Sequence, residues 1–139
     1  AIEGSLEGTS AIGFSLCDFD INADFSGTTA FIEKIIASVL KDKLPNGVCL
    51  NVNFPKLKID EISGLKICRQ AKANWVEDFE ERKDPYGKPY YWMDGDLHNE
   101  DLNNNTDLDA LAENYVSIVP VKYDLTDYDE LKQMQSWDL

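Results

Sequence analysis

Val48, Leu50, Val52 and Phe54 alternate with Cys49, Asn51 and Asn53, a period of two that predicts a strand closed by Pro55. Upstream, Phe31, Ile32, Ile35, Ile36, Val39 and Leu40 recur at helical spacing and form one apolar stripe. Ser26 is the expected N-cap of that helix, Lys41 and Lys43 suit its negative end, and Leu44-Pro45-Asn46-Gly47 stops it. Residues 10–16 are a short apolar run and read as a buried strand. Residues 1–8 read as the end of a helix stopped by Gly8. Such a helix, without a cap at residue 1 and without a starting methionine, is expected to begin upstream. An Asp-rich loop fills residues 17–25.

The second half alternates less cleanly. Residues 65–71 and 74–81 read as strands, and Tyr90-Tyr91-Trp92-Met93 as an aromatic strand returning after a Pro85-Tyr86-Gly87 turn. Residues 74–93 therefore form one long hairpin. Residues 94–106 are polar and read as a loop. Asp107 is expected to cap a short helix to Asn114, and residues 115–120 form a strand. Thr126, with Asp129 three residues on, opens a last helix over residues 126–137, with Tyr128, Leu131 and Met134 on one face. The order places an α/β sheet core in residues 1–56 and an α+β part in residues 57–139.

Composition narrows the class. The 139 residues are 43% hydrophobic and 11% aromatic, which fits a globular chain rather than a disordered one. No apolar run reaches the ~20 residues of a membrane span, so no membrane partner is expected. The net charge is −13, and it is uneven: residues 94–139 carry 12 acids against 2 bases. That half repels DNA and RNA, so a nucleic-acid polymer is not an expected partner. Cys17, Cys49 and Cys68 contain no CxxC pair and read as buried reduced thiols, which points to the cytoplasm.

Catalytic chemistry is sparse. His98 is the sole histidine and sits in the acidic loop, so no zinc set can be drawn. Asp101, Asn103 and Asn105 match three calcium-loop positions. Thr106 stands where the turn glycine belongs and Ala112 where the bidentate glutamate belongs, so a solvated loop is the stronger reading. Glu3 and Glu7 share a helix face, as a metal pair or as solvated and capping groups. Asn51 and Asn53 share a strand face, as polar groups satisfied inside the fold or as ligand contacts. Trp75, Phe79, Tyr90, Tyr91 and Trp92 crowd a hairpin that must pack on something, either the chain's own core or another subunit.

Three stretches in order carry a resemblance. Ala1-Ile2-Glu3-Gly4 through Ser15 is similar to A-x-E-G-x-x-x-G-x-P-[SA]-I-x-x-S, with Ser10 in place of the proline. Leu50-Asn51-Val52-Asn53-Phe54-Pro55 is similar to L-N-V-N-x-P. Tyr115-Val116-Ser117-Ile118-Val119-Pro120, followed by Asp124-Leu125-Thr126, is similar to Y-x-S-I-T-P…D-L-T. Together they resemble the C-terminal portion of the SurE family of stationary-phase survival nucleotidases. The resemblance implies a Rossmann-like three-layer α/β fold with an extended β-hairpin and a C-terminal helix. It also implies a parent enzyme that hydrolyses nucleoside monophosphates with a divalent metal, magnesium or manganese. The family's metal site uses two adjacent aspartates, a serine and an asparagine in an N-terminal half. None of those positions is in this sequence, so no catalytic or metal residue is expected here and the chain is expected to be inactive alone. The family's hairpin and terminal helix serve dimer or tetramer assembly. The expected interface is therefore Trp75, Phe79, Tyr91, Trp92, Met134 and Trp137. A non-catalytic oligomerisation module is the alternative.

Overall fold

The computed structural model describes residues 1–101 and 105–138. Its centre is a four-stranded mixed sheet. Strands β1 (Ala11–Leu16) and β2 (Val48–Phe54) run parallel, β6 (Tyr115–Lys122) pairs antiparallel with β2, and β3 (Gly64–Ile67) pairs parallel with β6. The sheet thus takes strands from both sides of residue 56. The parallel strands are joined through α2 (Thr29–Asp42), the crossover that parallel pairing requires.

The alternation in β2 decides the layering. Leu50, Val52 and Phe54 point toward α2, where Ile35 is buried with Val52, Phe54, Val116 and Ile118. Phe54 centres that core, with the Phe14 and Phe31 rings 6.2 and 6.5 Å from it. The opposite face is covered by α1 (Ile2–Leu6) and α3 (Asp107–Ala112). Ala110 of α3 packs there on Cys68 and Val119. Gly4 brings α1 within reach of β1: a Cβ at Gly4 would sit 3.1 Å from the Ala11 methyl. Helices on both faces give the three-layer α/β arrangement. β1 pairs with β2 alone among the described residues, so its outer edge is open. Ile36 and Leu40, the rest of the α2 stripe, stay exposed beside that edge and line a 430 Å³ groove with Ile12.

Apart from this sheet stands the arm, β4 (Ala73–Lys83) paired with β5 (Pro89–Asn99). The sequence turn forms as expected. Gly87 N–H donates to Asp84 O at 2.9 Å, with Gly87 at φ +79°. α4 (Tyr128–Met134) ends the order, with no buried residue.

Several boundaries differ from expectation. Residues 94–99 are strand, because β4 supplies ladder partners that override their weak β-propensity. β3 stops at Ile67, and Arg69 makes only an isolated bridge to Thr106. Ser26 opens a 3-10 turn (Ser26–Thr28), and α2 begins after it at Thr29. α3 is capped by Thr106 rather than Asp107, and α4 by Asp127 rather than Thr126.

Candidate functional site

Ligands of α/β sheets bind outside the carboxyl ends of parallel strands. Here those ends are Leu16 and Phe54, tied together by Cys17 N–H donating to Phe54 O at 2.9 Å. Two connections leave them and enclose a crevice of about 640 Å³, a size suited to a small organic ligand. One wall is the loop from Cys17 into the Ser26–Thr28 turn. The other runs from Lys56 into a 3-10 turn at Ile59–Glu61. The walls meet at Gly27, where a Cβ would stand in ordinary contact, 3.4 Å from the Ile59 nitrogen.

The loop wall is held by its own aspartates. Asp18 accepts from Asp20 N–H at 3.1 Å, Asp20 from Asn22 N–H at 2.8 Å, and Asp24 from Ser26 N–H at 2.8 Å. Asp18 also takes the Lys56 ammonium at 2.8 Å, which joins the two walls. That bond, then the Asp20 amide, holds the Asp18 carboxyl below its usual range. The Ser26 amide does the same for Asp24. On the other wall, Glu61 accepts from Lys58 N–H at 3.0 Å. Lining carboxylates outnumber lining ammoniums four to two: Asp18, Asp24, Asp60 and Glu61 against Lys56 and Lys58. Between Asp18 and Asp24, Phe19 and Ile21 stand fully exposed, and Phe25 is more than half exposed.

Sequence reasoning missed this crevice. Asp18 and Lys56 are 38 positions apart, and no local spacing announces them. The one signal was two polar loops following two apolar runs.

The residues singled out from sequence fall elsewhere. His98 lies exposed on β5, in the arm rather than a loop, 3.5 Å from a Glu100 oxygen. Asp101 is a latch at the arm's base. Its carboxylate takes both Arg69 guanidinium nitrogens, at 2.5 and 2.7 Å, and the Lys72 N–H at 2.9 Å. Asn105 takes the left-handed conformation at φ +78°, and Asn103 lies outside the described residues. Glu3 and Glu7 are exposed at opposite ends of the short α1, with Ser5 buried between them. No group of three or more His, Cys, Asp or Glu is placed to hold a metal ion among the described residues. Asn51 is exposed and Asn53 half-buried, so Asn51 is not satisfied inside the fold as expected. Cys49 and Cys68 are buried free thiols; Cys17 is exposed, because it follows the last strand residue into the loop.

The six expected interface residues are 40 to 62% exposed. Register sorts them. Trp75, Phe79 and Tyr91 share one face of the arm with Met93 and Leu97, while Trp92 lies on the other, its ring 5.4 Å from the Arg82 guanidinium carbon. Met134 ends α4, and Trp137 follows it in a turn whose N–H donates to Met134 O at 3.0 Å.

A family model described as "Survival protein SurE" matches residues 1–77. The chain belongs to the SurE family. It is 52% identical over all 139 residues to the 5'-nucleotidase SurE of Flavobacterium johnsoniae and to that of Christiangramia forsetii, and covers 54% of each. Among solved structures, the SurE protein of Aquifex aeolicus superposes with a TM-score of 0.77 at 35% identity, over 97% of this chain and 54% of that one. The chain thus spans about half the length of the curated relatives it matches, and corresponds to their C-terminal portion. Its SurE-like stretches fall on α1–β1, on β2 and on β6, three pieces of one sheet that the fold brings side by side.

Proposed function

We propose that this chain is part of a cytoplasmic 5'-nucleotidase that hydrolyses nucleoside 5'-monophosphates. Water bonds to phosphorus, the bond from phosphorus to the 5' oxygen breaks, and that oxygen leaves with a proton as the nucleoside. The observation that carries this reading is identity of 52% across the whole chain to relatives named 5'-nucleotidase SurE. The open β1 edge and the exposed Ile36 and Leu40 agree with it, as surface against which a protein twice this length would pack.

A divalent metal, magnesium or manganese, is implied for the parent by the family. The donors in this chain do not fit one: Asp18 is engaged by Lys56, Asp24 by a backbone amide and Glu61 by its own turn. No step is assigned to a metal here, and the chain alone is proposed to be inactive. Phosphate release from nucleoside monophosphates tests both points, with magnesium or manganese present. The full-length protein is expected to release phosphate and the purified 139-residue chain to release none. Release by the chain alone overturns its inactivity; silence from the full-length protein overturns the nucleotidase reading.

A second role rests on the exposed aromatic arm. It is proposed to join copies of the protein into a dimer or tetramer, and the chain could persist as a non-catalytic assembly module. A monomer by light scattering at micromolar concentration counts against that role. No helix among the described residues is long and apolar enough to cross a membrane.

A further inference from the structure

We infer that the Cys17–Phe25 loop is the platform for the base of the nucleoside monophosphate, with Phe19 and Ile21 as its specificity-determining residues. The inference rests on the nucleotidase reading and adds which end of the substrate this chain receives.

Phe19 and Ile21 are 103% and 98% exposed, more than any other large apolar side chain in the described structure. They gain nothing from the fold in that position, and water is a poor partner for them. The loop that carries them is pinned rather than slack. Asp18, Asp20 and Asp24 each bind a backbone N–H two residues on, and Asp18 is tied to Lys56 across the crevice. The two side chains are therefore held outward. Asp18 and Asp24 both line the crevice at the strand carboxyl ends, and Phe19 and Ile21 project from the stretch of loop between them, outside that lining.

Charge then chooses which part of a nucleotide comes here. With carboxylates in excess, the lining repels a phosphate dianion. A flat, uncharged base has no such penalty, and stacking on an apolar face suits every base. The phosphate accordingly points away from this loop and the base toward it. Asp60 is left as an acceptor for sugar hydroxyls. The competing occupant is protein, either the rest of the full-length protein or a second copy. It would take the same apolar side chains but would be indifferent to the base.

The test compares a nucleoside 5'-monophosphate with ribose 5-phosphate, which lacks the base, on the full-length protein. Phe19→Ala with Ile21→Ala is expected to lower kcat/KM for the nucleotide about tenfold or more and to leave ribose 5-phosphate unchanged. Phe19→Trp should restore the nucleotide rate, and its added indole fluorescence should be quenched by the nucleotide. Equal loss on both substrates, or loss on neither, overturns the platform. So does a change of oligomeric state in the double variant. If the unsubstituted protein hydrolyses neither substrate, the nucleotidase reading itself has failed. If it hydrolyses both and the variants do not discriminate, only the platform has.

Discussion

Two buried hydroxyls show how the surroundings of one chemical group set its worth. Thr106 is fully buried at the start of α3 and satisfied on every side. Its Oγ1 accepts from Asp109 N–H at 3.1 Å and donates to Asp109 Oδ2 at 2.7 Å, and that carboxylate also accepts Thr106 N–H at 3.0 Å. Thr106→Ala removes the cap and strands the Asp109 amide, and should cost about 1–2 kcal/mol in urea unfolding. Ser117 is equally buried on β6, yet its Oγ has no hydrogen-bond partner among the described residues. Its hydroxyl has given up water for nothing. Ser117→Ala is therefore expected to be neutral or to stabilise by up to about 1 kcal/mol in the same measurement. A loss above about 1 kcal/mol would mean that Ser117 is bonded in solution. A third residue acts through space. A Cβ on Gly95 would lie 2.4 Å from both the Val76 carbonyl oxygen and the Trp75 indole nitrogen. The indole covers the glycine diagonal to it across the ladder, whose direct partner is Glu77, a contact no propensity scale can foresee.

At the scale of elements, what holds each piece is often a carboxylate beyond its end. Asp124 precedes α4 and accepts from the Tyr128 hydroxyl and from Thr126 N–H. The Tyr128 bond, then Thr126, lowers its pKa from 3.8 to about 2. A folded pKa below the unfolded one means that the contribution is full above pH 3.8 and is lost as pH falls through about 2. Carboxyl carbon shifts followed by NMR should show that titration, and Tyr128→Phe should return it toward 3.8. The arm has the analogous latch in Arg69–Asp101. Asp101 is nearly buried while Arg69 is half exposed, so solvent weakens the pair. Asp101→Asn should still cost about 1–2 kcal/mol, because the fork is bidentate. Amides of β4 and β5 near the base are expected to exchange faster, while those of β2 do not. These contacts also explain how far the sequence could be read. The β2 alternation and the Asp84–Gly87 turn were legible because their causes are local. The run of β5 to Asn99, the seat of β6 between β2 and β3, and the Asp18–Lys56 tie have partners dozens of residues away. The crevice was hidden for that reason.

For the whole molecule the open question is which surface another subunit would take. The arm offers two unlike faces. One gathers Trp75, Phe79, Tyr91, Met93 and Leu97 along the ladder, with Glu77 and Glu81 among them. The other sets Trp92 among Asp78, Glu80, Asp94 and Asp96, with Arg82 over its ring. A stable interface buries a desolvated apolar centre and leaves charge to the rim. Burying the second face would strip water from four carboxylates with one arginine among them, and Arg82 is already paired with Glu80 at 2.6 Å. The first face carries two carboxylates, Glu77 and Glu81, against five large apolar side chains, so its burial costs less. Trp75→Ala with Phe79→Ala is therefore expected to shift the protein toward monomer in light scattering, while Trp92→Ala leaves the assembly intact. Because each arm residue is already solvent-facing in the single chain, neither variant should lower the stability of the sheet core, and urea unfolding followed on that core serves as the control. The reverse outcome, dissociation by Trp92→Ala alone, would mean that the charged face carries the contact and that burial of apolar area does not decide the assembly.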